Sequence, residues 1–154
     1  MVKKIVSGGQ TGVDRAALDW AIAKGARQGG WCPAGRIAED GVIPEHYHLC
    51  ETPTRHYYQR TRWNVRDSDA TVLISSSEKL TGGSLATKEW AIRINRPHLH
   101  VYPSHEWRGP LHEFLEMHLV QVLNVAGPRH SSSAGLERFV YEVLDELDRD
   151  YPRQ

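Results

Sequence analysis

The sequence predicts an α/β fold, a single doubly wound domain over residues 1–154 with a mainly parallel sheet and helices on both faces, on three observations. Apolar runs short enough to be strands alternate along the chain with stretches whose apolar residues recur at helical period. Three of those runs lead into loops that set glycines beside hydroxyls: Ser7-Gly8-Gly9-Gln10-Thr11-Gly12, Thr81-Gly82-Gly83-Ser84, and Ala126-Gly127-Pro128-Arg129 followed by Ser131-Ser132-Ser133. A chain of 154 residues fills one such domain and is too short for two.

Taken in order, Lys4-Ile5-Val6-Ser7 reads as a short buried strand. Beyond the first loop, Val13, Ala16, Ala17, Trp20 and Ala21 share one helical face suited to packing on a sheet, and Lys24-Gly25 stops the helix with a cation and a glycine cap. Residues 29–54 are rich in Gly and Pro and lack continuous periodicity, so they read as a long ordered loop of functional length, opened by a small strand at 30–32. Residues 57–65 form a helix. Ala70-Thr71-Val72-Leu73-Ile74 is an unbroken apolar, β-branched run, the expected central strand, buried on both faces. The second glycine loop opens a helix through Ala86, Trp90 and Ile94 that ends at Asn95-Arg96-Pro97. Leu99 and Val101 mark a strand with His98, His100 and Tyr102 on its other side. A shorter helix at 110–117 and a strand at 120–125 follow. Leu136, Phe139, Val140, Val143, Leu144 and Leu147 define the clearest amphipathic helix, and the charged tail at 145–154 reads as its solvated end.

Nineteen basic and nineteen acidic side chains cancel, and the mean hydropathy is -0.53. Neither a nucleic-acid surface nor a membrane span is expected, and any preference for anions must be local. No apolar leader precedes the first strand, which favours a cytoplasmic location. Cys32 and Cys50 make no disulfide framework and match no zinc spacing, so they read as reduced thiols.

Glycine loops at strand ends bind anions because the backbone can approach a ligand oxygen closely and the following helix offers free N–H groups at its positive end. Ligands of a doubly wound sheet sit at the carboxyl ends of its strands, where all three loops fall, so one shared pocket is expected. Gly8 to Gly12 match neither G-x-G-x-x-G nor a Walker sequence, which disfavours ordinary NAD or ATP binding. Thr11 offers a hydroxyl, Asp14 sits in the first helical turn and Arg15 supplies a fork; the alternative is a packing turn with Asp14 paired to Arg15. Ser84 serves as N-cap or as ligand donor at the head of a helix carrying Thr87, Lys88 and Glu89. Arg129 has the donor array for an oxyanion, set against a plain surface connection for its serine-rich loop. Arg36 belongs either to a lid over the pocket or to a turn. His46, His48 and Cys50 share one face of an extended segment, as ligands or by coincidence. The five tryptophans read as core, with Trp31 placed to stack on a planar ligand. No Ser-His-Asp order or paired carboxylates support acyl or glycosyl transfer.

The stretch Ser7 to Asp19, Cys32-Pro33-Ala34-Gly35-Arg36 with Glu39-Asp40-Gly41, Asn64 to Thr71, Leu80 to Ser84, and Leu123 to Arg129 together resemble the family named "putative molybdenum carrier", over most of the chain. That family is similar to molybdenum cofactor carrier proteins and belongs with a Rossmann-like superfamily that includes the lysine decarboxylase-like phosphoribohydrolases. The resemblance implies a Rossmann-like domain that binds an oxyanion or phosphorylated ligand, the molybdenum cofactor or molybdate, without catalysis, with molybdoenzymes as partners. Backbone N–H groups from Gly9 to Gly12 and from Gly82 to Ser84 would cradle the anion. Thr11 and Ser84 would donate hydroxyls and Arg15 or Arg129 would supply charge, with Gly8, Gln10, Asp14, Arg36, Thr81, Thr87 and Gly127 completing the site. Helical faces left over on such a sheet favour a homo-oligomer.

The phosphoribohydrolases carry Pro-Gly-Gly-x-Gly-Thr-x-x-Glu, against which this chain sets Thr81-Gly82-Gly83-Ser84-Leu85-Ala86-Thr87-Lys88-Glu89. The alternative function is therefore an enzyme that cleaves the N-glycosidic bond of a nucleoside monophosphate, with Glu89 or Asp14 stabilising an oxocarbenium-like centre. A third reading is a sensor that binds a nucleotide derivative without turning it over.

Overall fold

In a computed structural model that describes residues 1–149, the chain runs β1 (Lys4–Val6), α1 (Val13–Lys24), β2 (Arg27–Gly29), β3 (Trp31–Cys32), β4 (Ile37–Ala38), β5 (Gly41–Val42) and β6 (Cys50–Glu51). It continues through α2 (Tyr57–Arg66), β7 (Ala70–Ile74), α3 (Gly82–Arg93), β8 (His98–Val101), α4 (Arg108–Met117), β9 (Val122–Ala126) and α5 (Glu137–Asp148). The last five residues of the expected solvated tail lie outside the described residues.

Five strands pair in parallel in the order β2-β1-β9-β7-β8. Ile5 stands between Gln28 and Leu123, and Thr71 between His98 and Asn124. The doubly wound parallel sheet is as expected, but its centre is β9 rather than β7. The five residues of β7 are buried because helices cover both faces of the sheet, which a hydrophobic run reports without reporting position. The edge strand β2 was not expected at all, since Arg27-Gln28-Gly29 has no apolar pattern.

Handedness distributes the helices. The chain moves one way from β1 to β2 and the other way from β7 to β8, so right-handed crossovers put α1 and α3 on opposite faces. In agreement, α1 packs with α5 and α2 packs with α3. The face under α1, α4 and α5 carries the main core, joining Ile5, Val72, Ile74, Leu123 and Val125 to Val13, Ala17, Leu111, Val140 and Leu144. The opposite face is polar and thinly covered. Helix α3 buries only Ser84, Thr87 and Ala91, and α2 buries only Asn64 and Val65. Beneath them Asn124 Nδ2 donates to Thr71 Oγ1 at 3.1 Å.

Residues 29–54 are ordered, as expected, by two small ladders, β3 with β6 and β4 with β5. A second apolar cluster of Leu18, Cys32, Ile43, Tyr47 and Leu49 ties them to α1.

Candidate functional site

The thin face leaves a cavity of about 440 Å³ between α2 and α3, at the carboxyl ends of β1, β7 and β9. All three glycine loops reach it: Gly8 and Gln10 from the first, Thr81 to Ser84 from the second, Gly127, Arg129 and Ser132 from the third. Asn124 and Ala126 line it from β9, while α2 contributes Tyr57, Arg60 and Arg62, and α3 contributes Thr87, Glu89, Trp90 and Arg93. The close approach that brings loops together needs Gly127, where a Cβ would lie 2.3 Å from the Ile74 carbonyl oxygen and 2.7 Å from Val13.

Of the two helix N-termini expected to bind an anion, α3 keeps its first three donors free together, whereas α1 has most of its donors taken and leaves the Gly12 and Asp14 N–H groups without a partner among the described residues. At α1 the chain closes on itself. The Val13 N–H donates to Pro128 O at 3.3 Å, the Gln10 N–H to Asp14 Oδ2 at 3.4 Å, the Thr11 N–H to Gln10 Oε1 at 3.1 Å and the Gly9 N–H to Ser7 Oγ at 3.4 Å. At α3 the N-cap is Thr81 and makes no side-chain cap bond. Gly82 takes a left-handed φ of +54° at the first helical position, and the N–H groups of Gly82, Gly83 and Ser84 have no partner among the described residues. Ser84 is thus inside the first turn rather than the cap. Its side chain is buried without a hydrogen bond, while Thr87 Oγ1 donates to Gly83 O at 2.8 Å.

The cavity wall holds a buried ion pair, Arg60 Nη1 to Asp14 Oδ2 at 2.8 Å. Burial pushes the Asp14 carboxyl above its ordinary value against the opposing charge of Arg60. Arg60 Nε is itself buried without a partner. Arg62, Arg93 and Arg129 make no ion pair among the described residues and instead lie against aromatic rings: Arg62 at 4.2 Å and Arg93 at 5.7 Å from the Trp90 centroid, Arg129 at 5.9 Å from that of Tyr57. With Asp14 and Arg60 cancelling, three guanidiniums face one exposed carboxylate, Glu89, so the cavity is electropositive.

Thr11, Gly12 and Arg15 fall in an adjoining open depression with Glu39, Asp40 and Ser131. The side-chain donors of Thr11 and Arg15 are spent on the two-residue turn between β4 and β5. Glu39 accepts from the Thr11 hydroxyl, from the Ser131 N–H at 3.2 Å and from the Ser131 hydroxyl at 2.5 Å. Asp40 accepts from Arg15 Nη1 at 2.5 Å and Nη2 at 3.0 Å. These bonds hold both carboxyls below the usual carboxylate range. Gly9 lies outside the cavity, its carbonyl accepting from Arg15 Nη2 at 3.3 Å. Asp14 pairs with Arg60, not with Arg15.

Arg36 is not a lid residue in this structure. Its guanidinium donates to the carbonyls of Ile43, Pro44, Tyr47 and Leu49 at 2.8 to 3.2 Å and so folds the long loop. Trp31 likewise stands away from the cavity, edge-on to Trp63 with its indole N–H donating to Asp67 Oδ2 at 2.8 Å. No group of three metal-ligating side chains occurs among the described residues, and none includes His46, His48 or Cys50. The residues the sequence reading missed, Tyr57, Arg60, Arg62, Trp90 and Arg93, all lie on helices. Their one signal was an unusual density of arginine beside aromatics in 57–66 and 90–93.

A parallel doubly wound sheet with an electropositive cavity at its carboxyl rim defines a Rossmann-like α/β domain. Residues 5–147 match the circularly permutated YpsA SLOG family, cpYpsA, and the chain belongs to it. The chain is also similar to a solved structure from Syntrophus aciditrophicus SB described as "Putative molybdenum carrier protein", at 41% identity over 95% of this chain and 94% of that one, with a TM-score of 0.89. No curated protein matches. No helix among the described residues is long and apolar enough to cross a membrane.

Proposed function

We propose that this protein binds a phosphorylated or oxyanionic small molecule in the cavity, with the anion seated at the N-terminus of α3. The observation that carries this reading is the set of free N–H groups at Gly82, Gly83 and Ser84 beside the unbonded Ser84 hydroxyl. A helix start with no cap retains its partial positive charge for a ligand. Arg129, which also lines the cavity, adds a full charge and a planar pair of donors. The ring part of a ligand would lie towards Tyr57 and Trp90. Thr11, Gly12, Arg15 and Arg36 act at one remove, by fixing the loops.

The neighbour's name makes molybdate and the molybdenum cofactor the first ligands to try. Molybdate is a tetrahedral dianion and uses the same donors as phosphate, whereas a phosphorylated pterin would also use the aromatic walls. Transfer to molybdoenzymes in the cytoplasm belongs to the same reading. Thermal melts with molybdate, tungstate, phosphate and AMP test it: a rise in Tm that saturates with ligand is expected, and no rise with any of the four removes it.

A second reading is favoured by Glu89, a carboxylate that faces the cavity and has no partner among the described residues. It is the group an N-glycosidic hydrolase would aim at an oxocarbenium-like centre. Incubation with nucleoside monophosphates decides it. Free base that disappears with Glu89→Ala establishes hydrolysis, and intact nucleotide leaves binding alone.

A further inference from the structure

We infer that the cavity has a second anion subsite, formed by Arg62 and Arg93 beside Trp90, so that its ligand carries an anionic group at each end. This rests on the proposed seat at the N-terminus of α3. The cavity follows α3 from Gly82 to Arg93. Ser84 and Arg93 are nine positions apart, about 13.5 Å of helix axis. An anion held at Ser84 is therefore out of reach of Arg93, and the far end has its own chemistry.

That chemistry has three parts. Arg62 and Arg93 are exposed and without carboxylate partners among the described residues. Arg62 lies at 4.2 Å from the Trp90 centroid and Arg93 at 5.7 Å, and a guanidinium held against a ring keeps its in-plane N–H groups for an oxyanion. The indole N–H of Trp90 is buried with no acceptor, so the ring offers the cavity its face and serves the two guanidiniums as a flat support. Two unpaired cations against an aromatic ring at one end, and free backbone N–H groups with Arg129 at the other, favour a ligand with two separated anionic groups over a single phosphomonoester. Glu89 sits between the two ends on the same helix, and so favours an uncharged or hydroxyl-bearing middle.

A chemical ruler tests this. Isothermal titration compares octyl phosphate, which has one charged end, with alkane-α,ω-diyl bisphosphates of four, eight and twelve carbons. The eight-carbon bisphosphate is expected to bind about tenfold tighter than octyl phosphate, the gain of one charge-assisted contact, with the four-carbon compound showing no such gain. In the Arg62→Ala/Arg93→Ala variant that advantage is expected to vanish, leaving octyl phosphate and the eight-carbon bisphosphate equal in affinity. Equal affinity of octyl phosphate and every bisphosphate overturns the second subsite and leaves the first intact. Failure of all of them to bind removes both.

Discussion

Glu39 holds Ser131 from 92 positions away, its carboxylate accepting the serine hydroxyl at 2.5 Å and the serine N–H at 3.2 Å. Because the Thr11 hydroxyl donates to the same carboxylate and accepts the His130 N–H at 3.1 Å, one side chain clips the first glycine loop to the third. Arg129, two residues before Ser131, takes its place on the cavity wall from that clip.

The clip should open in acid. Glu39 titrates below its ordinary value in the folded protein, so the unfolded chain binds its proton more readily. Its contribution is therefore present above the ordinary glutamate pKa of about 4.3 and is lost as pH falls through the lower folded value. The Ser131 amide resonance is expected to titrate with a midpoint below 4.3, and Glu39→Gln should abolish that titration. A midpoint at or above the ordinary value would show that the carboxylate is not held.

The Arg60–Asp14 pair is buried, with side-chain exposures of 14% and 5%. Arg60→Ala strands a carboxylate in the wall and should cost about 3–5 kcal/mol in urea unfolding. Replacing both partners, as Arg60→Met with Asp14→Leu, should recover most of that loss, because a matched apolar pair has no desolvated charge to compensate. A loss below about 1 kcal/mol for the single variant would mean that water reaches Asp14.

Two glycines of the cavity should answer the same substitution differently. A Cβ at Gly82 meets nothing within 4 Å but must adopt a left-handed φ of +54°, so Gly82→Ala should cost about 1–2 kcal/mol and weaken anion binding. Gly127 has ordinary φ but no room beside Ile74 O and Val13, so Gly127→Ala should cost about 3 kcal/mol through overpacking. Denaturant midpoints of the two variants check the ranking, and the reverse order would contradict the packing described for the loop.

The alternation of elements was legible in the sequence because each strand and helix carries its own period. The place of β9 at the sheet's centre was not, because strand order depends on crossovers and leaves no local pattern. For the same reason Ala70 to Ile74, buried on both faces, read as central. The loops converging on the cavity were legible from Gly82, Gly83, Gly127 and their neighbours, since glycine beside a strand end has few other uses. The division of labour among them was not. Thr11 and Arg15 look like ligand donors until Glu39 and Asp40, about 25 residues further on, arrive to take those bonds, and Arg36 looks free until four carbonyls of its own loop surround it. Arginines on α2 and α3 were passed over because a helical arginine is ordinarily solvated, and only the thin packing of those helices turns Arg60, Arg62 and Arg93 towards a cavity.

The proposed function stands or falls with the anion seat at the N-terminus of α3. Amide shift mapping during titration with molybdate or inorganic phosphate tests it most directly. The largest perturbations are expected at Gly82, Gly83 and Ser84, diminished in Arg129→Ala. Perturbations centred instead on Thr11 to Arg15, or none at saturating anion, would contradict it.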